Sequence, residues 1–503
     1  MGTLPLALTG VATNFLVPMQ LIQVQFAQGV LLGNPGVPKV LLMGVKLSGG
    51  TATADTTTYQ LGTEADVIDL FGAGSDVHVA WRTFTKVCKS ADVWGIGITE
   101  SGGTAASATL TFATNASAAG EAKLTMFGET ISVSFASGDA FDTAIAEAMK
   151  AAINAQTHWP VSAARVGGVV TITYKTKGTN GNWARLHTSI TSGAGTTLTP
   201  SASTLGSGAT DEVYTTALAT ILGATYEYIV PCVNPTAGSD TRVSAVSDQV
   251  LTQALPTSGI RQQMLFASAD SLSNATTLVT AYNKARNSCV WQKNSEWMPY
   301  QLAAHQCAVR YNRETGADPG ASYDGYGLGV NDIWFVPVPY ATSDYPSQAN
   351  INTALAVGLT PIGVTSQRKT YCVMSCTAAG ADPRIRDTCK VTVSDRFAAD
   401  LAAQDASVYP QAKIMDNEPE GVRPYPAGIC TPIREKDNVI SPVLRRYRDA
   451  GLLTNVDGTN GSIAATATGI DPTVKTRINA RIPIEVTPLR HQAQFLINEV
   501  SSG

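Results

Sequence analysis

The chain has 503 residues, enough for roughly three domains at about 150 residues each. Its formal net charge is −4, from 35 Lys and Arg against 39 Asp and Glu, so it lacks the basic footprint of a nucleic-acid binder. Only 15% of the residues are charged, against about 25% in ordinary globular chains, while 44% hydrophobic residues exclude disorder over most of the length. Low charge suits surfaces that become covered by other subunits. No run of about 18 apolar residues is present, so no membrane span is expected. Met1-Gly-Thr-Leu-Pro lacks the basic start of a signal peptide, which points to synthesis in a cytoplasm without export. Eight cysteines are too sparse for a disulfide scaffold. Cys372, Cys376 and Cys389 do not follow a zinc spacing and have no histidine nearby, so reduced core thiols are expected.

The first 20 residues carry Pro5, Gly10 and Pro18 with little periodicity. Leu21 to Phe26 then alternates, with Ile22, Val24 and Phe26 apolar, and predicts a half-buried strand behind a loose arm. Lys39 to Val45 predicts a buried strand. Ala65 to Phe71 predicts a short helix stopped at Gly72, with a turn over Gly72-Ala-Gly74-Ser75. Val77 to Cys88 predicts another helix and Asp92 to Thr99 a strand.

Composition shifts near Ser101 to a block rich in Gly, Ala, Ser and Thr that lasts to about Gly208. Alternating runs mark strands at Ala108–Phe112, Lys123–Phe127, Thr130–Phe135 and Val169–Tyr174. Phe141, Ile145, Met149 and Ile153 recur every four residues and predict a helix capped by Asp139 or Asp142. The block reads as a small α+β module, with Thr191 to Gly208 as its exit linker.

From Asp211 strands and helices alternate. Strands are predicted at Glu227–Val233, Gln262–Ala267, Cys289–Gln292, Asp332–Pro337, Pro361–Thr365 and Tyr371–Ser375. Helices are predicted at Ser239–Ala254, Ser273–Arg286, Met298–Arg310 and Ser347–Ala356. This order implies a largely parallel sheet covered on both faces. Beyond Pro383, Ile385, Cys389, Val393, Phe397 and Leu401 form a helical stripe. Ser441 to Gly451 predicts a helix with Ser441 as cap and Pro442 first, and Arg445, Arg446 and Arg448 give it the densest positive charge in the chain. Ile478 to Val486 alternates as one strand, and Ala493 to Val500 trails behind Pro488 as a last one.

No HExxH, P-loop, GxSxG elbow or helix-opening GxGxxG is present. Gly72-Ala-Gly74 lacks a third glycine and a downstream acid, which argues against phosphate binding. Of His78, His158, His187, His305 and His491, only His305 falls in the α/β region. Asp240, Asp248, Asp270 or Asp332 could pair with it, and no spacing singles one out. Glu418 and Glu420 read as a solvated Pro-rich loop. No catalytic, cofactor or metal site is expected, and the chain is read as a non-enzyme. The fold class is multidomain, α/β and α+β.

The order of segments carries a resemblance. An extended arm leads to Pro38-Lys-Val-Leu-Leu-Met-Gly44. Then follow Tyr59-Gln-Leu-Gly-Thr-Glu-Ala-Asp-Val-Ile-Asp-Leu-Phe-Gly-Ala-Gly-Ser75, Asn350-Ile-Asn-Thr-Ala-Leu-Ala-Val-Gly-Leu-Thr-Pro-Ile362 and Ile482-Pro-Ile-Glu-Val-Thr-Pro488. This resembles the tail sheath subunit of contractile-tailed phages, in the form carried by Mu-like phages, and residues 65–75 are its most telling piece. The resemblance implies a noncatalytic polymer without cofactors, stacked as six-fold rings wound helically around a tail tube and located in the virion after assembly in the host cytoplasm. Its implied partners are further copies of itself, the tail tube protein, the baseplate and the terminator or neck proteins, with neither nucleic acid nor membrane. It also implies a central α/β domain of subtilisin-like topology without a protease triad.

The layout read on this basis is an arm over 1–27, a first core part over 28–100 and an outward insertion over 101–208. The α/β core follows over 209–380, then an inner C-terminal domain over 381–488 and a C-terminal arm strand over 489–503. Leu21, Ile22, Val24 and Phe26 at one end, and Phe495 and Ile497 at the other, would add strands to neighbouring subunits, the alternative being pairing within their own domain. Arg445, Arg446 and Arg448 would face the tube, the alternative being an ordinary solvated helix face. A β-rich virion surface or receptor-binding protein is the competing function, suggested by the Ser/Thr/Gly-rich block.

Overall fold

The computed structural model describes residues 38–191, 194–236, 238–255, 258, 260–315, 332–334, 336–382, 385–409, 413–415, 429–470 and 478–487. The chain enters through β1 (Lys39–Val45) and β2 (Thr58–Gln60), then α1 (Glu64–Phe71), α2 (Asp76–Thr85) and β3 (Asp92–Ile98). Thr63 caps α1 and exchanges hydrogen bonds with Asp66, and Ser75 caps α2 by accepting from the His78 amide.

A module of seven strands and a helix follows: β4 (Ala105–Ala113), β5 (Gly120–Met126), β6 (Glu129–Phe135), α3 (Glu147–Ala155), β7 (Val161–Val166), β8 (Val169–Lys177), β9 (His187–Ile190) and β10 (Thr197–Pro200). They form a four-stranded sheet ordered β10-β4-β8-β7 and a three-stranded sheet ordered β6-β5-β9. Ile145, Met149 and Ile153 are buried along the helical stripe. The expected aspartate caps are not made: Ala140 precedes a widened turn over Phe141–Ala146, and Asp139 instead accepts from the Ala136 amide. The segment expected as an exit linker contains β10, which pairs with β4, and it buries Ala194 and Leu205. Its Ser/Thr/Gly composition concealed a strand that hides few side chains. The two ends of the module meet where the Thr104 amide donates to the Ala209 carbonyl at 3.1 Å.

The chain then returns to the large sheet through α4 (Thr215–Thr220), β11 (Tyr228–Pro231), α5 (Thr241–Gln253), β12 (Gln263–Ser268), α6 (Leu272–Ala281) and β13 (Asn287–Trp291). It continues with α7 (Pro299–Thr315), β14 (Asp332–Trp334), α8 (Gln348–Val357), β15 (Leu359–Val364) and β16 (Thr370–Cys372). The nine strands are ordered β14-β16-β15-β13-β12-β11-β1-β3-β2. The run from β15 to β3 is parallel, while β2 and β16 are antiparallel to their neighbours and β14 is antiparallel to β16.

Side-chain alternation splits the core. Leu41 and Met43 of β1 join Ile229, Met264 and Phe266 under α5 and α6, whereas Val40 and Leu42 join Val230, Leu265 and Val290 under α2 and α7. The second cluster continues without a break into the insertion, through Met126, Phe127, Trp159 and Tyr174.

The C-terminal module hangs on α9 (Thr388–Val408), whose 21 residues span about 31 Å. Its first half is pinned to the core: Asp395 takes a bidentate bond from Arg286 at 2.8 and 2.7 Å. The same half enters a separate cluster, where Val393 and Phe397 pack with Ile440, Val443, Leu444, Tyr447 and Leu453. The segment expected as one strand over 478–486 is two, Ile478–Arg481 and Glu485–Val486, which pair with different partners on either side of Pro483. Among the described residues no helix is long and apolar enough to cross a membrane.

Phe397 is the joint between α9 and this module. Phe397→Ala should therefore lower its stability by about 3–5 kcal/mol, read as an early urea transition of the C-terminal module that leaves the large sheet intact.

Candidate functional site

The arm residues Leu21, Ile22, Val24, Phe26, Phe495 and Ile497 lie outside the described residues. The arginine helix is described, as α10 (Ser441–Asp449). It does not start where the sequence suggested. Thr431 caps a helical turn at Pro432–Arg434, a widened turn over Glu435–Ile440 follows, and Ser441 continues the helix with its own backbone helical and its side chain buried. The Thr431-Pro432 pair supplies the cap-then-proline signal that was assigned to Ser441-Pro442.

One face of α10 is apolar. Val443, Leu444 and Tyr447 are buried, Tyr447 meets Phe397 edge to face at 5.4 Å, and its hydroxyl donates to Asp400 at 2.8 Å. Burial holds the Asp400 carboxyl above its usual range despite that bond. The other face carries the arginines. The Arg445 Nε lies 3.6 Å from Asp457, Arg448 pairs with both Asp449 and Asp457, and Arg446 donates to the Gln404 side chain at 3.1 Å. Two aspartates thus share two of the three guanidinium groups. Asp457 was missed because it sits in a turn before Gly458, eight or more residues from the helix it neutralises. What remains is a polar, mildly positive surface with fixed side chains.

Two short ribbons lie nearby in this module. Ala467–Ile470 pairs antiparallel with Ile478–Arg481, and Leu453–Thr454 with Glu485–Val486. Each is a two-stranded sheet, so its outer edges have no partner strand among the described residues. Such edges can accept an added strand.

The titratable residues weighed for catalysis are placed apart. His305 is buried inside α7, with its ring 5.8 Å from Trp297, and burial pulls its pKa down to about 3. Asp240 caps α5 and ion-pairs with Arg242 at 2.8 Å, and Asp270 accepts from the Ser271 amide and Asn274 at the start of α6. All eight cysteines are buried and none is in a disulfide, and among the described residues no group of three or more His, Cys, Asp or Glu is set to hold a metal.

The two faces of α10 differ in what they hold together. Asp457→Asn, which removes the exposed ion pairs to Arg445 and Arg448, should change folding stability by no more than about 1 kcal/mol. Tyr447→Phe, which removes a buried bond to a carboxyl, should cost about 1.5–3 kcal/mol in the same denaturation experiment.

No protein-family model matches the chain. Over 178 residues it is 29% identical to the Mu-like prophage FluMu tail sheath protein of Haemophilus influenzae, a match that covers 35% of this chain and 36% of that protein. Among solved structures, the sheath tail protein of Listeria innocua aligns over 90% of this chain and 92% of its own, with 12% identity and a TM-score of 0.46. The sheath tail protein of Desulfitobacterium hafniense aligns over 95% and 100%, with 12% identity and a TM-score of 0.44. In sequence, the chain is similar to a tail sheath protein over about a third of its length.

Proposed function

We propose that this chain is the structural subunit of a contractile phage tail sheath, which polymerises as helical six-fold rings around a tail tube. Contraction of that polymer, triggered at the baseplate, drives the tube through the host envelope for genome delivery. The observation that carries this reading is the sequence similarity to a Mu-like prophage tail sheath protein. The composition supports it, because a 15% charged fraction leaves wide surfaces that a polymer can cover without desolvating ions.

In this proposal the central sheet is the subtilisin-like domain of the family, lacking a triad, and the chain is not an enzyme. The arms over 1–27 and 489–503 supply strands to neighbouring copies, and the unpaired ribbon edges beside α10 are their receiving sites. Backbone pairing of this kind joins subunits through a flexible connector, so the link survives when subunits rotate and slide. Arg445, Arg446 and Arg448 face the tube. Exposed ion pairs of about 0–1 kcal/mol each can register a sheath on its tube and still release together.

Sedimentation of purified chains tests the arms. The full chain and a chain lacking residues 1–20 should pellet as polymer. Chains lacking 1–27 or 489–503 should remain soluble, folded monomers. Pelleting of both longer truncations at the full-length yield would contradict the role of the arms.

A further inference from the structure

The turn between α1 and α2 faces the insertion, not solvent. Gly72 and Gly74 have φ of +91° and +78°. A Cβ at Gly74 would strike the Trp159 carbonyl and the Lys175 ammonium. Lys175 donates to the carbonyls of Ala73 at 2.9 Å and Thr157 at 3.0 Å, tying the turn to both ends of the β7–β8 region. The next residue after the cap, Asp76, is fully buried. It accepts from the Tyr174 hydroxyl at 2.7 Å, the Asn180 amide at 3.3 Å and the Thr176 hydroxyl at 3.4 Å. All three donors belong to the insertion and all are neutral.

We propose that the Gly72–Asp76 turn is the latch that holds the insertion on the α/β core, and that protonation of Asp76 closes it.

The surroundings of Asp76 favour a proton. Tyr300 of α7 lies 3.3 Å from the Tyr174 hydroxyl, and Cys232, Tyr214 and Glu212 complete the buried shell. The adjacent cation, Arg242, reaches Asn180 at 3.2 Å but is committed to Asp240, Glu212 and Asp211 at 2.8, 3.1 and 3.2 Å. Burial, opposed by the Tyr174 bond and reinforced by Glu212, pushes the Asp76 carboxyl up to about 7. Undocked and solvated, the same carboxyl would return to about 3.9. Between those values the docked form holds a proton that the undocked form lacks. Docking is therefore firmest at and below about pH 4, loosens by up to about tenfold per pH unit as the pH rises, and levels off above about 7. Lys175, drawn down to about 8 by burial, and Glu129, held near 2 by its His158 bond, titrate outside that window. His78, buried below the turn and bonded to Glu64, is pulled down by burial and opposes the trend in acid.

The Asn234 amide donates across the boundary to Asn180 at 3.0 Å, so its hydrogen exchange reports undocking. In the full-length protein, exchange corrected for its chemical rate should slow by up to about tenfold per unit from pH 7 to pH 5. Asp76→Asn should lose most of that slowing, leaving only the smaller contributions of His78 and of Glu212, which burial holds above its usual range. Tyr174→Phe removes a donor that favours the charged carboxylate and should move the upper end of the profile to higher pH. Equal corrected exchange at pH 5 and pH 7, or an unchanged slope in Asp76→Asn, would overturn the latch. If Asp76→Asn fails to fold, an unmoved profile in Tyr174→Phe overturns it.

Discussion

A parallel sheet must be covered on both faces, and this demand organises the rest of the molecule. β1 lies third from one edge of the nine-stranded sheet, with Val40, Leu41, Leu42 and Met43 all fully buried, two to each side. Each such side chain contributes about 1.5–3 kcal/mol by leaving water. One face is closed by α5 and α6. On the other, beside α2 and α7, Trp297 faces Phe127 and Trp159 of the insertion in one shared apolar cluster. The insertion is thus a layer of the core as well as an appendage to it.

Where the insertion meets the strand ends the packing turns polar. β1 and β11 are neighbours whose successors, β3 and β12, lie on opposite sides. Open α/β sheets bind ligands at such a switch point. Here Asn180 occupies it, donating to the Cys232 carbonyl and accepting from the Asn234 amide. Arg242 ties the same turn to Asp211 and Glu212 in the segment that leads from the insertion to α4. Leaving any member of such a buried charge group without its partner is strongly destabilising, so docking in one register is favoured over all others. The C-terminal module is attached differently, through α9 alone among the elements that share its apolar cluster.

The elements that bury side chains were legible. β1, β3 and β12 carry apolar runs and α1, α2 and α5 fall within a few residues of their predicted positions, whereas the short, uncapped α4 was not foreseen. β7, β9 and β10 left no trace, because β9 and β10 bury none of their side chains fully and β7 only Val161. The α10 start was misplaced because two Ser/Thr-Pro pairs compete, and the folded chain caps at Thr431 while Ser441 is buried with a helical backbone. The Gly72-Ala-Gly74-Ser75 turn stood out in the sequence, but its reason did not: Lys175 and Trp159, which demand glycine there, are about 85 to 100 residues away. Likewise the arginine stripe was visible and its neutralising Asp457 was not.

In the proposed polymer the described body and the terminal arms have separate tasks. The large sheet and the insertion are joined by continuous apolar packing and a buried charge group, and α9 is pinned to them by the Arg286–Asp395 pair, while the proposed links between copies lie in the terminal arms. Electron microscopy of the purified, overexpressed full chain tests the central claim most directly. Long hollow tubes with six-fold helical symmetry are the predicted result. Discrete monomers or trimers under conditions where the chain is folded would contradict it.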